Sequence, residues 1–162
     1  MNNILAINLV LNTIISIIGA RLLILPKINA ASLSVIAVPI LLFHGMRHLG
    51  LMFLAPGVTL AGISPIFAYP AAIGDFISAV LAMTALYKLQ TRSKHMMRWL
   101  WFFNIFGSLD FVVAIALSRI TNSLVHMGAA YWIPGFFVPL LIAAHYVLFV
   151  QLNRAKALPI SA

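Results

Sequence analysis

Residues 34–54 read SVIAVPILLFHGMRHLGLMFL, and this stretch decides the fold. It is long and apolar enough to cross a bilayer, which takes about 20 residues, yet its middle carries the polar segment HGMRH at 44–48. A charged side chain such as Arg47 is costly within a membrane unless it faces partners inside a helix bundle. The only two acidic residues, Asp75 and Asp110, also lie inside apolar runs. The stretch therefore predicts a membrane-embedded bundle with a buried polar cluster.

The composition of the whole chain agrees with a multi-pass membrane protein. Of 162 residues, 64% are hydrophobic and 7% are charged, and the mean hydropathy is +1.10. A soluble domain is nearer to about half apolar and about a quarter charged. The formal charge of +8 comes from Lys and Arg at the ends of apolar runs, which is typical of membrane topology signals rather than of nucleic-acid binding. The absence of cysteine excludes disulfides, thiolate metal sites and thiol redox chemistry.

Five apolar runs are long enough to cross a bilayer, and they predict an all-α membrane protein with one integral membrane domain, 1–162. The first run is too long for the apolar core of a signal peptide, and no positive charge precedes it, so we expect it to remain as a helix. Asn8 and Asn12 in this run share a helix face and suit hydrogen bonding to a neighbouring helix. The predicted helices cover approximately 4–25, 34–54, 67–89, 99–118 and 132–152.

The distribution of basic residues predicts the orientation of the five helices. If the loop at 88–98 is cytoplasmic, the end of the first helix near Lys27 and the tail near Arg154 and Lys156 lie on the same side. Eight of the ten Lys and Arg residues are then inside, as the positive-inside rule requires. Tyr and Trp residues lie near both predicted boundaries, as is usual for membrane interfaces. The sequence therefore predicts an N-terminus outside and a cytoplasmic C-terminus.

This orientation places three charged residues at one depth in the bilayer. Arg47, Asp75 and Asp110 each lie seven or eight residues from the outer end of their helix. At a rise of 1.5 Å per residue they sit roughly 10–12 Å below the outer boundary. Arginine presents a planar fork that can bridge two carboxylates. We therefore expect the three side chains to meet in the outer half of the membrane.

Two interpretations of this cluster stay open on the sequence alone. The first is an ion-pair network that fixes the order of the helices. The second starts from the charge mismatch of one arginine facing two aspartates. Because burying excess negative charge is costly, this interpretation has a proton on one aspartate or on His44 or His48. The cluster would then bind protons or a small polar ligand, since ionisable groups inside a membrane are candidates for function.

The histidines raise the question of a metal or a haem. His44 and His48 are four residues apart, so they share a face of an α-helix and suit zinc with His145 or an aspartate as a further ligand. Arg47 lies close to that face and would repel a cation. His44 and His145 lie at similar depths on different helices, as two axial haem ligands would. Membrane histidines more often hydrogen-bond within the packing. No cofactor is predicted, and a metal site of His44, His48 and His145 is the alternative.

Two further polar residues lie within the predicted helices. Asn104 is expected to hydrogen-bond to a neighbouring helix. Ser78 lies one turn after Asp75 on the same face, but a serine in a membrane helix usually bonds its own backbone. Enzymes need a nucleophile, base or metal in a defined arrangement, and the chain contains no glutamate and no GxSxG, P-loop or HExxH motif. An enzyme is therefore not expected, although an intramembrane hydrolase using His44, His48 and an aspartate remains the alternative.

Four phrases of the sequence occur together in a known type of protein. They are HGMRHLG at 44–50, PAAIGD at 70–75, NIFGSLD at 104–110, and GAAYWIP at 128–134 followed by VPL at 138–140 and His145. In this order they resemble a family of small uncharacterised bacterial multi-pass inner-membrane proteins with no assigned activity. The resemblance implies a bacterial inner membrane and one integrated unit, and it names no reaction.

The sequence thus leaves three classes of function. A small transporter or a sensor would use the cluster to bind a proton or a small polar ligand. Five helices are few for a transport pathway, so a homo-oligomer is expected in that case. An accessory membrane subunit would use the cluster as an ion-pair network, and an intramembrane metal- or haem-binding enzyme is the third class. The lipid bilayer is the expected surrounding, nucleic acid is not an expected partner, and the ligand is not identified.

Overall fold

The computed structural model describes residues 3–28 and 33–156. Within these residues there are five long helices and no strand. Each helix is long and apolar enough to cross a membrane, which confirms the predicted all-helical class and its five spans. The helices begin and end within about four residues of the predicted bounds. They are α1, Ile4–Lys27; α2, Leu33–Leu54; α3, Pro65–Gln90; α4, Met96–Ile120; and α5, Gly128–Ala155.

Three of the five helices change their winding along their length. After an α-helical part, Ile4–Gly19, α1 continues as a π-helix and a short 3₁₀ turn. In α2 the α-helix Leu33–Gly45 gives way to a 3₁₀-helix, Met46–Leu54. In α5 a π-helical segment, Ile133–Phe137, precedes the α-helical part, which begins at Val138. Such irregular turns are frequent at functional positions, and the one in α2 contains the central arginine.

A hydrogen bond joins α1 to a carbonyl of α5 that a proline leaves without its usual α-helical donor. Pro139 has no backbone N–H, so it cannot donate to the Gly135 carbonyl four residues before it. The Asn12 side chain donates Nδ2–H to that carbonyl at 2.7 Å. This bond confirms that Asn12 reaches a neighbouring helix, whereas Asn8 is exposed. At the other end of α1, the Arg154 guanidinium donates to the Leu25 carbonyl at 3.1 Å and to the carbonyl of Ile28, the residue after the helix, at 2.8 Å.

Helix α3 packs against α2 and α4, while α5, the most buried span, packs against α1, α2 and α4. Small residues in membrane helices let backbones approach closely, and the buried face of α3 is rich in alanine, including Ala72, Ala82 and Ala85. Helix α1 is the least buried span and packs against α5. The polar residues of α2 to α5 therefore face one shared interior.

Two apolar clusters divide that interior. One contains Phe53, Phe67, Phe111 and Leu141, and the other contains Leu41, Ala82, Phe103 and Leu148. Each of α2, α3, α4 and α5 contributes to both clusters, and on each of these helices at least one buried or half-buried polar residue lies between the two contributions. The polar groups thus form one layer with apolar packing on either side: Arg47 on α2, Asp75 on α3, Asn104 and Asp110 on α4, and His145 on α5.

The predicted orientation, with the N-terminus outside, remains a prediction. The structure does place the ends of α1 and α5 together, because Arg154 bonds the carbonyls at the end of α1. It thereby groups Lys27 and Arg154 at one end of the bundle, as that prediction requires. The side chain of Lys156 lies outside the described residues.

Candidate functional site

Arg47 is the centre of the polar layer. It is the second residue of the 3₁₀ part of α2 and is only 1% exposed. Its Nε–H donates to Asp75 Oδ1 at 2.7 Å, and its Nη2–H donates to Asp110 Oδ2 at 2.5 Å. The guanidinium thus bridges carboxylates from α3 and α4, using the fork geometry that suits arginine to this role. The three charged residues that the sequence placed at one depth do meet.

The remaining side of the guanidinium is also in contact with protein. Arg47 Nη1–H donates to the Gly107 carbonyl at 3.1 Å and lies 3.4 Å from His145 Nε2. The guanidinium carbon lies 3.8 Å from the centroid of the Phe111 ring, which is a cation–π contact. Arg47 therefore links α2 to α3, α4 and α5 at a single point.

Asn104 fixes the orientation of the His145 ring. His145 Nδ1 lies 2.7 Å from Asn104 Oδ1, while Asn104 Nδ2–H donates to the His145 carbonyl at 3.4 Å. Because the amide oxygen only accepts, the hydrogen of this bond belongs to His145 Nδ1. In the neutral ring Nε2 then carries a lone pair that faces the Arg47 guanidinium. The prediction that Asn104 bonds to a neighbouring helix is confirmed.

His44 lies against His145 without a hydrogen bond of its own. The two ring centroids are 4.1 Å apart, and the centroid of the Phe103 ring is 5.1 Å from that of His44. His44 is fully buried, and neither ring nitrogen has a hydrogen-bond partner among the described residues. Buried polar atoms are nearly always satisfied, so His44 is an exception that stands directly beside the charged layer.

Ser78 is a second buried exception, one turn along α3 from Asp75. Its side chain is fully buried, and its Oγ has no hydrogen-bond partner among the described residues. The expectation that Ser78 bonds its own backbone is therefore wrong. By contrast, Ser108 follows the usual pattern and donates to the Asn104 carbonyl at 2.7 Å.

The structure does not bring His48 into the cluster. His48 is exposed, and its Nδ1 contacts the Gly45 carbonyl at 3.0 Å. The prediction that His48 shares a face with His44 assumed an α-helix and is wrong. From Met46 onward the chain is wound as a 3₁₀-helix. Each residue of such a helix turns about 120°, so four residues make a full turn and about 120° more, and the side chains of His44 and His48 point in different directions.

The histidines accordingly form neither of the sites considered from the sequence. The trio of His44, His48 and His145 is not assembled, and within residues 3–28 and 33–156 no group of three or more His, Asp or Glu is placed to hold a metal ion. His44 and His145 contact each other directly. In this arrangement no haem fits between them, since each ring would have to present a nitrogen to an iron lying between the two.

Three glycines complete the site, and the sequence analysis did not single them out. A Cβ on Gly50 would overlap the Asp75 carboxylate, and a Cβ on Gly74 would overlap Asp110 Oδ1. A Cβ on Gly107 would lie 2.7 Å from the His145 ring and 2.9 Å from Arg47 Nη1. Each glycine thus leaves the space that a polar side chain on another helix occupies. Their signal in the sequence is that each lies within three residues of Arg47, Asp75 or Asp110.

The formal charges of the layer do not balance. One guanidinium contacts two carboxylates, while each carboxylate has a second oxygen with no hydrogen-bond partner among the described residues. The side chains of Asp75 and Asp110 are 12% and 11% exposed, whereas that of Arg47 is fully buried. Asp75 also lines a cavity of about 40 Å³ with Phe111 and Ser118. The two aspartates are therefore slightly less buried than the arginine that they share.

Comparison with known proteins identifies a family whose function is unknown. No curated protein matches the chain, and no solved structure matches it. The family that does match is described as a domain of unknown function, DUF8737, and it covers residues 4–153, which include every residue of the polar layer. The chain belongs to this family, DUF8737.

Proposed function

We propose that this multi-pass membrane protein binds a proton in the Arg47–Asp75–Asp110 cluster and works as a small transporter or sensor. The observation that carries the proposal is one buried guanidinium between two carboxylates. With both carboxylates ionised the group has a formal charge of −1, and burying such a charge without a partner is strongly unfavourable. A single proton on the second oxygen of either aspartate neutralises the cluster and leaves both hydrogen bonds from Arg47 in place.

The surroundings of the cluster support a proton rather than a larger polar ligand. Each aspartate has a second oxygen available to accept the proton. The cavity beside Asp75 has a volume of about 40 Å³, which is enough for water, since a water needs about 10–15 Å³ of such space, and is small for a polar ligand of several atoms. Apolar packing lies on either side of the layer, as expected for a site that is closed to bulk water in this conformation.

His44 and His145 give the cluster a second place for a proton. His145 Nε2 faces Arg47, and the His44 ring lies against that of His145. Arg47 disfavours a positive charge on His145, so in this conformation the proton belongs on the aspartates. A movement of Arg47 away from His145 would remove that repulsion. The proposal therefore includes a transfer from the acidic side of the layer to the histidine side during function.

A second candidate function is supported by the packing of the glycines. Gly50, Gly74 and Gly107 fit the polar side chains closely, as an ion-pair network that fixes helix order would require. In that case the protein is an accessory membrane subunit, and both aspartates are permanently ionised. The two functions differ in whether the cluster takes up a proton.

The chain offers an unusually clean test because Asp75 and Asp110 are its only acidic residues. Infrared difference spectra of the protein in liposomes, recorded over about pH 4 to pH 9 to bracket ordinary carboxyl titration, would detect the carbonyl stretch of a protonated side chain. We expect a band in the wild type, no band in the double variant D75N/D110N, and assignment of the band by the two single variants. Identical spectra for the wild type and the folded double variant would refute proton binding and leave the ion-pair network.

A flux assay separates transport from sensing once proton binding is established. Proteoliposomes with an internal pH-sensitive dye would be given a pH gradient. A transporter dissipates the gradient faster than D75N/D110N does at equal protein content, whereas a sensor does not. Cross-linking in the same vesicles tests the homo-oligomer that a five-helix transporter is expected to need.

The proposal also places the protein in a bacterial inner membrane, as the family resemblance implies.

A further inference from the structure

A second feature of the bundle lies apart from the polar layer. It is a groove of about 520 Å³ between α1, α2 and α5, and its walls are almost wholly apolar. The lining residues include Ser16, Gly19 and Ala20 on α1, Pro39 and Phe43 on α2, and Ala144 on α5. Small residues on the facing helices leave space between the walls, and a Cβ on Gly19 would meet nothing within 4 Å. The groove is open space on the side of the bundle.

The groove has the length and direction of one lipid chain. On α1 it extends from Ser16 to Ile24, which is about 12 Å along the helix at 1.5 Å per residue. One leaflet contributes about 15 Å to a hydrocarbon core of about 30 Å. The groove therefore follows most of the thickness of one leaflet, parallel to the helices.

One end of the groove is basic. Lys27 follows Ile24 by three residues in a stretch that ends in a 3₁₀ turn, so both residues lie on one side of the chain. Lys27 and Arg21 are exposed. Arg154 is held at this end by its bonds to the Leu25 and Ile28 carbonyls. The described part of the chain has two acidic side chains, and both lie in the polar layer, so no carboxylate neutralises these cations.

We propose that this groove binds one anionic phospholipid, with an acyl chain along α1 and the headgroup phosphate at Arg21, Lys27 and Arg154. The apolar walls suit a hydrocarbon chain, and the basic end is complementary to a negatively charged headgroup. Attraction of anionic headgroups to basic residues next to a membrane helix is a general property of bilayers. The groove adds a fixed position for the chain below the headgroup. This proposal is independent of proton binding in the polar layer.

The test is native mass spectrometry of the delipidated protein titrated in detergent with palmitoyl-oleoyl phosphatidylglycerol or phosphatidylcholine. We expect a one-to-one adduct with preference for phosphatidylglycerol. Removing two cations in R21A/K27A should weaken phosphatidylglycerol binding about 30-fold and phosphatidylcholine binding much less, because the choline group neutralises the charge of its phosphate. The control K94A/R98A removes the same charge from exposed positions that the groove does not include, and it should have no effect on either lipid.

A second pair of variants tests the groove itself. In G19L the new side chain enters the open space and should weaken binding of both lipids. A116L places the same leucine side chain at an exposed position on α4 and should not. Equal affinity for the two lipids in the wild type would overturn the proposal. So would an equal loss in R21A/K27A and K94A/R98A, or unchanged binding in G19L.

Discussion

Neutralising the two aspartates singly and together should produce strongly non-additive losses of stability. In D75N or D110N, Arg47 keeps one carboxylate partner, at 2.5 Å or 2.7 Å respectively, and the excess negative charge is gone. In D75N/D110N the guanidinium is fully buried without a carboxylate. The double variant therefore creates the uncompensated buried charge that each single variant avoids.

The expected magnitudes follow from these contacts. Each single variant should lower the free energy of unfolding by about 1 kcal/mol, the net contribution of one hydrogen bond. Leaving a buried ion without its partner costs about 3–5 kcal/mol, so the double variant should lose that amount. The difference is a coupling energy of about 1–3 kcal/mol between Asp75 and Asp110. Arg47→Met should lose at least as much as the double variant, because it leaves both carboxylates unpaired.

The measurement is reversible unfolding by titration with a denaturing detergent, monitored by circular dichroism, for the wild type and all four variants. Thr84→Val is the matched control, since its hydroxyl bonds the Val80 carbonyl away from the cluster, and it should change stability by less than about 0.5 kcal/mol. Additive losses within about 0.5 kcal/mol, or a single variant as damaging as Arg47→Met, would refute the shared-guanidinium reasoning.

The other predictions address packing, ring orientation and topology. Gly107→Ala should lower stability by about 1–3 kcal/mol through overpacking against His145, whereas Gly45→Ala meets a flexible side chain and should lose less; thermal unfolding compares them. Asn104→Leu should lower it by about 1–3 kcal/mol because His145 Nδ1 loses its partner, and nitrogen NMR of the histidine should report a changed tautomer. Lys94→Cys, in this cysteine-free chain, should react with an impermeant thiol reagent only from the cytoplasmic side; labelling from outside contradicts the proposed orientation.

Depth could be predicted from the sequence because it depends on counting residues along regular helices. The positions of Arg47, Asp75 and Asp110 relative to their helix ends were enough to place them in one layer, and the structure joins them directly. His44 and His145 were likewise placed at similar depths, and their rings are in contact. Lateral position is different, because it depends on which helices are neighbours. That α5 packs against α1, α2 and α4, while α3 packs against α2 and α4, could not be predicted from the sequence.

The errors have a common physical origin in local winding and close packing. His48 was assigned to the face of His44 because the sequence gives no sign that the helix tightens after Gly45. The contributions of Gly50 and Gly74 were missed because a glycine in an apolar run has no chemistry of its own. Its importance appears only when the carboxylate that occupies the adjacent space is known.

The 3₁₀ winding of Met46–Leu54 determines the length and rotation of the second half of α2, the segment that contains Arg47. A 3₁₀-helix rises about 2.0 Å and turns about 120° per residue, against about 1.5 Å and 100° in an α-helix. Rewinding these nine residues as an α-helix would shorten the segment by about 4–5 Å and rotate its far end by about half a turn. Gly50 would leave Asp75, and Phe53 would leave its apolar cluster. The tight winding of this segment therefore sets both the length of α2 and the place at which the following loop begins, and it keeps Gly50 against the Asp75 carboxylate.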